Sequence, residues 1–97
     1  MALTCRWIEM IGRAYALHAM NQPEGDPNQD NEINGWDGRR VIVVSITRFD
    51  ATSVLRRLSV DDFAQYTGDI ISDSRNEVTI DARSIRPAQR PANFKDP

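Results

Sequence analysis

The chain has 97 residues, of which 40% are hydrophobic and 27% charged, and its formal net charge at pH 7 is −2. This length and composition predict one soluble domain with one modest core. The small net charge argues against a strongly basic nucleic-acid binder. No apolar run approaches the roughly 18 residues of a membrane span, so we expect a cytoplasmic protein or a virion component without membrane contact.

The first segment is predicted to form an amphipathic helix over residues 3–19. Its apolar positions recur three or four residues apart: Leu3, Trp7, Met10, Ala14 and Leu17. This spacing places them on one helical face. A pair of strands broken at Gly12 is the alternative, because the segment is rich in aromatic and β-branched residues.

Residues 21–38 are predicted to form a long acidic loop. They contain five acidic residues, no basic residue, two prolines and three glycines. Loops longer than about 12–15 residues in compact domains are usually functional or disordered. The loop is therefore a candidate functional site.

The middle of the chain predicts a strand and then short helices. Residues 41–49 carry hydrophobic side chains on both faces, as in a central strand. Asp50 opens a short helical segment. Ser59 is suited to cap a second helix with acidic residues in its first turn, and Gly68 is suited to end that helix.

The last third predicts a hairpin followed by an arm. Residues 69–72 and 77–83 have strand patterns around the turn 73–76. Residues 87–97 contain three prolines and predict an extended arm. The predicted fold class is α+β: a single domain over residues 1–86 in which the N-terminal helix packs on a small, mainly antiparallel sheet with one or two short helices.

The acidic loop contains the spacing of a twelve-residue calcium loop. The candidate ligands are Asp26, Asn28, Asp30, Glu32 through its carbonyl, Asn34 and Asp37. Calcium prefers such oxygen ligands, and a loop of this length can wrap around one ion. Asp37 is shorter than the usual glutamate, and a predicted strand follows instead of a helix. A plain surface loop, built for turn formation, is the favoured interpretation, and a calcium-stabilised domain is the alternative.

Catalytic patterns are weak in this sequence. His18 is the only histidine and Cys5 the only cysteine. We interpret His18 as a stabilising residue near the end of the predicted helix and Cys5 as a core thiol. The sequence contains no Gly-rich phosphate loop and no nucleophile motif. The prediction is a protein that is not an enzyme and needs no cofactor, unless the loop binds calcium.

Four residues are candidates for contact with a partner: Trp36, Arg86, Arg90 and Phe94. Trp36 lies in a polar loop, and tryptophan is enriched at binding hot spots. The other three make the C-terminal segment basic and aromatic. The leading hypothesis is a protein–protein interaction module, either a small subunit of a virion or other assembly, or a small phage-type inhibitor of a host protein. We expect a protein partner or a homo-oligomer. A nucleic-acid accessory protein is a further alternative, because a basic arm can follow a phosphate backbone.

Overall fold

The computed structural model describes residues 6–18 and 31–97, and most of these residues are in strands. The elements of these two ranges are β1 (Trp7–His18), β2 (Glu32–Trp36), β3 (Val41–Ser45), α1 (Ala51–Arg57), β4 (Phe63–Asp73) and β5 (Glu77–Pro87). The helix α1 begins at its cap Asp50, whose carboxylate accepts a hydrogen bond from the backbone N–H of Thr52 at 3.1 Å. This cap satisfies one of the free N–H groups at the start of the helix.

The strands close into a barrel in the order β1-β2-β3-β5-β4, and β4 pairs back onto β1. Strands β3 and β5 are parallel, whereas the other neighbouring strands are antiparallel. The helix lies between β3 and β4 in the chain. This order and connection are those of the OB-fold, a five-stranded Greek-key barrel. Closure pairs the sheet edges that an open sheet would leave exposed.

The barrel interior holds one contiguous hydrophobic core. Its buried members are Ala14, Ile33, Ile42, Val44, Ile46, Val54, Leu58, Ala64, Tyr66, Val78, Ile80, Ala82 and Ile85. Most come from alternate positions of the strands. Ile46 directly follows β3, and Val54 and Leu58 are added by α1 and its C-cap. Phe94 is also buried, at 7% exposure, but it lies outside this core cluster.

The predicted N-terminal helix is wrong. The predicted α+β fold class is also wrong, because the described residues form a closed five-stranded barrel with a single short helix. Residues 7–18 of that segment form β1, which runs without a break through Gly12. Inward positions alternate along the strand as far as Ala14. A register shift between Ala14 and Ala16 then adds one residue, so the next inward side chain is Leu17, opposite buried Ile33. This bulge interrupts the two-residue period, so Met10, Ala14 and Leu17 face the core at spacings of four and three residues, as on a helix. Trp7, another member of the predicted helical face, is exposed.

The predicted second helix is also wrong. Residues 59–62 form a turn in which the Asp62 carboxylate accepts a hydrogen bond from the Ser59 N–H at 2.9 Å. Asp61 has a positive φ of 76° in this turn. The residues that follow form β4, because Ala64 and Tyr66 alternate into the core. Ser59 and the acidic pair after it therefore serve a turn rather than a helix start.

The other elements lie close to their predicted positions. The predicted hairpin is the β4–β5 pair, with both strands longer than expected. The predicted central strand is β3, which ends at Ser45. Within the predicted loop 21–38, residues 32–36 form β2, and residues 21–30 lie outside the described residues. Pro87 ends β5, and residues 88–97 are irregular.

Gly68 lies on β4 where the backbone of the paired strand β5 leaves no room for a side chain. A Cβ added at Gly68 would collide with the carbonyl oxygen of Asp81 and would lie 2.9 Å from the Cα of Ala82. The obstructing atoms are backbone atoms of the neighbouring strand, so no side chain can move aside. A glycine at this position therefore allows the barrel to close.

We predict that Gly68→Ala lowers the free energy of unfolding by about 1–3 kcal/mol, as overpacking in a core does. The matched control is Ser72→Ala on the same strand, where the side chain is exposed and the change should be nearly neutral. Urea unfolding followed by circular dichroism measures both. Equal stability of the two variants would contradict the close approach at Gly68.

Candidate functional site

Three side chains form a row across the outside of the barrel. Arg13 on β1 is paired in register with Trp36 on β2 and with Phe63 on β4. Each is partly exposed, whereas a neighbour of each along its strand is fully buried in the barrel. Because side chains alternate along a strand, these three point outward. We call Phe63, Arg13 and Trp36 the outer row.

The arm lies against this row through an aromatic contact. The rings of Phe94 and Phe63 meet edge to face, with centroids 4.8 Å apart and an interplanar angle of 86°. The backbone N–H of Phe94 donates to the carbonyl of Pro91 at 3.1 Å, which fixes a turn just before the ring. Edge-to-face pairs are a favoured aromatic geometry. Phe94 is therefore stabilised both by this contact and by the burial of its ring.

Two polar contacts extend the docking beyond Phe94. The indole Nε1 of Trp36 donates a hydrogen bond to the main-chain carbonyl of Lys95 at 2.6 Å. The guanidinium Nη1 of Arg13 donates to Oδ1 of Asp96 at 2.8 Å. The outer row therefore binds a ring, a main-chain carbonyl and a carboxylate from three consecutive residues of the arm.

Arg13 is the electrostatic centre of the site. Besides Asp96, it contacts the carboxylate of Asp61, with its Nη2 at 3.1 Å from Oδ1. Its guanidinium carbon also lies 5.2 Å from the ring centroid of Tyr15. Burial raises the pKa of Tyr15, and the positive charge of Arg13 acts in the opposite direction. The Tyr15 hydroxyl is buried and has no hydrogen-bond partner in the described part of the chain.

An open cleft borders the docked arm. Its volume is about 790 Å³, and it lies between the β2–β3 turn and the arm, lined by residues 37–39 and 91–95. Gly38 in the turn has a φ of 100°, a conformation that L side chains rarely adopt. The turn is fixed by Asp37, whose carboxylate accepts hydrogen bonds from the N–H groups of Arg39 and Arg40 at 2.8 and 2.9 Å.

Two of the four predicted contact residues, Trp36 and Phe94, meet at this site. Arg90 contacts the arm itself. Its guanidinium carbon lies 5.4 Å from the centroid of the Phe94 ring, and its Nη1 lies 3.7 Å from Oδ2 of Asp96. Arg86 is elsewhere. It is exposed on β5 and lies beside the end of α1 rather than beside Trp36.

The calcium prediction is divided between described and undescribed residues. Asp26, Asn28 and Asp30 lie outside the described residues, as does Cys5. Glu32 and Asn34 are on β2, where the Asn34 amide nitrogen lies 2.9 Å from Nε2 of His18. Within residues 6–18 and 31–97, no three His, Cys, Asp or Glu side chains are grouped to hold a metal ion. The calcium loop stays a prediction.

A separate ionic cluster surrounds the carboxylate of Asp73. The Asp73 carboxylate at the end of β4 accepts hydrogen bonds from Arg40, and from Arg6 at 2.8 Å. Arg40 also donates to the carbonyl of Ser74 at 2.7 Å. These bonds, with Arg40 contributing most, hold the pKa of Asp73 below its usual value. The cluster links Arg6, directly before β1, to the β2–β3 turn and to the β4–β5 turn, which indicates a structural role.

Sequence reasoning missed Arg13 and Phe63, which contact the arm, and also Asp61 and Tyr15, which contact Arg13. All of them fall in segments that were predicted to be helical. Arg13 and Phe63 are 50 positions apart in the chain, and only the strand register brings them together. Asp96 was also missed, because its role depends on Arg13.

Neither the protein-family models nor the curated protein sequences match this chain. Among the described residues, no helix is long and apolar enough to cross a membrane.

The Asp73 cluster predicts loss of stability in acid. A carboxylate whose pKa is lowered by folding stabilises the fold above its unfolded pKa, and this stabilisation disappears as pH falls through the folded value. We expect the difference in melting temperature between wild type and Asp73→Asn to shrink below about pH 4. Glu77→Gln, an exposed change nearby, is the control. The same shrinkage for Glu77→Gln would contradict a specific role of Asp73.

The docked arm predicts a fluorescence change on loss of Phe94. In a Trp7→Phe background, Trp36 is the only tryptophan. Phe94→Ala removes ring burial that contributes about 1.5–3 kcal/mol, so the arm should detach and the emission of Trp36 should shift to the red. Lys95→Ala is the control, because Trp36 binds only the main-chain carbonyl of that residue. An unchanged spectrum for Phe94→Ala would contradict the docking.

Proposed function

We propose that this protein is a non-enzymatic protein–protein interaction module whose outer row binds a peptide segment carrying phenylalanine and aspartate two residues apart. The observation that supports the proposal is the seating of Phe94, Lys95 and Asp96 on that row. Each contact uses a different chemical feature of the segment. A peptide must therefore present the ring, the carbonyl and the carboxylate in the same order.

The composition of the outer row suits peptide binding. Tryptophan and arginine are the residue types most enriched at interaction hot spots. Phe94 is 7% exposed, so its ring is expected to contribute most of the affinity. The Arg13–Asp96 pair is partly solvated, with side-chain exposures of 27% and 46%, and such pairs contribute about 0–1 kcal/mol. The charge pair therefore selects the orientation of the peptide more than it strengthens binding.

The same chemistry supports binding over catalysis. An arginine and two aromatic rings do not exchange protons near pH 7. The only histidine of the chain, His18, contacts the amide of Asn34 rather than the outer row. The site holds and orients a segment, and we propose no reaction at it.

A barrel with an arm that fits its own surface is suited to linking subunits. In an assembly such as a virion, the row of one subunit would hold a segment of a neighbour. As a phage-type inhibitor, it would hold a segment of a host protein in the cytoplasm. Both versions use the same row, and the subunit version is preferred because the chain itself supplies a matching segment.

The barrel topology favours single-stranded nucleic acid as a second candidate. OB-folds bind oligonucleotides on an outer face near β2 and β3, and aromatic rings beside a cation are typical of such faces. Phe63, Arg13 and Trp36 have this composition. We rank it second because the net charge is −2 and because Asp61 is next to Arg13, where a phosphate would be repelled.

Peptide binding to a shortened chain tests the proposal. The core cluster excludes Phe94, so a chain lacking residues 91–97 keeps its core and exposes the outer row. A synthetic peptide of residues 88–97 should bind it with a Kd on the order of 0.1–1 mM, measured by titration calorimetry. Trp36→Ala in the shortened chain should abolish detectable binding, because loss of a hot spot costs about 2 kcal/mol or more.

Peptide variants supply the matched controls. A peptide with Phe94→Ala should not bind, whereas one with Lys95→Ala should bind as well as the native peptide. Absence of native-peptide binding would refute the proposal. If an oligonucleotide binds instead, with affinity that falls steeply with salt, the second candidate is the function.

A further inference from the structure

We infer that the arm is exchangeable between copies: the segment that docks on its own outer row also docks on the outer row of a second copy. Two copies would then hold each other reciprocally, each giving one arm and receiving one. This inference rests on the proposed function, because it uses the same row. It adds the identity of the partner, which is another molecule of this chain.

The barrel and the arm are separable units. The core cluster is complete without Phe94, and all five strands are paired without residues 91–97. The last bond that continues the barrel ladder runs from the Ala88 N–H to the Phe63 carbonyl at 3.0 Å. Release of the arm after Ala88 therefore leaves the barrel closed.

The connection between the two units can open. Residues 89, 90, 92 and 93 are exposed, and the turn that precedes Phe94 is closed by its bond to Pro91. Opening that turn extends six residues from Ala88 to Phe94, with a reach of up to about 20 Å. The Phe94 ring then leaves its own barrel while the strand ladder stays intact.

Exchange costs little because it replaces each contact by an identical one. The same ring, carbonyl and carboxylate meet the same Phe63, Trp36 and Arg13, so the difference between the two states is mainly the entropy of association. A short linker gives the molecule's own arm an effective concentration in the millimolar range. Exchange is therefore favoured where copies are crowded together, as in an assembly. Reciprocal exchange closes a two-fold dimer, because the second arm docks within a complex that already exists.

A charge-reversed pair of variants tests the exchange. Arg13→Asp alone repels its own arm at Asp96, and Asp96→Arg alone repels its own barrel at Arg13. When the two variants are mixed, each arm meets the opposite charge on the other barrel. The double variant Arg13→Asp/Asp96→Arg restores attraction within one molecule and is the matched control.

Sedimentation equilibrium gives the readout at about 1 mM of each variant, a concentration comparable to the effective concentration of the molecule's own arm. We expect a heterodimer in the mixture, monomers for each variant alone, and monomers for the double variant. Adding Phe94→Ala to both members of the pair should return the mixture to monomers. A mixture that stays monomeric, with both variants folded by circular dichroism, overturns the inference.

This test and the peptide test separate the two proposals. If the peptide of residues 88–97 binds the shortened chain but the mixed variants stay apart, the outer row binds peptides and the exchange is wrong, because the barrels obstruct each other. If the peptide does not bind either, both proposals are wrong. A heterodimer that survives Phe94→Ala would also refute exchange, since its contact would lie elsewhere.

Discussion

Strand β1 hydrogen-bonds to β2 along one edge and to β4 along the other, and both the closure of the barrel and the candidate site depend on this double pairing. Without it, β2 and β4 would be free sheet edges, which are prone to pair with other chains. The same pairing places Arg13 between Trp36 and Phe63. The interaction that completes the fold therefore also assembles the row that receives the arm.

The parts of the fold that sequence could predict are those set by local patterns. The β4–β5 hairpin follows from alternation around a polar turn, and the helix after Asp50 follows from its cap. Strand β1 could not be predicted in this way, because the bulge after Ala14 mixes the two-residue period with spacings of three and four. Only pairing with distant strands distinguishes the two structures, and that pairing leaves no mark in a local window.

In the site, too, some residues could be predicted from local sequence and others depend on strand pairing. Trp36 and Phe94 stood out in the sequence because each is aromatic in a polar segment, and each was expected to face outward to a partner. The structure places them on one site, where the indole of Trp36 donates a hydrogen bond to the arm. Arg13 and Phe63 gave no signal, because their importance comes from register rather than from their neighbours in sequence. A site formed across strands is visible only once the barrel is known.

The distances in sequence between paired strands have a consequence for synthesis. Strand β1 pairs with residues 63–69, and β3 pairs with residues 77–81. A nascent chain therefore cannot complete its hydrogen-bonded circle until β5 has left the ribosome, and long-range pairing of this kind is slow. During that interval the apolar strands emerge with open edges, so the nascent chain is most prone to aggregate before β5 arrives.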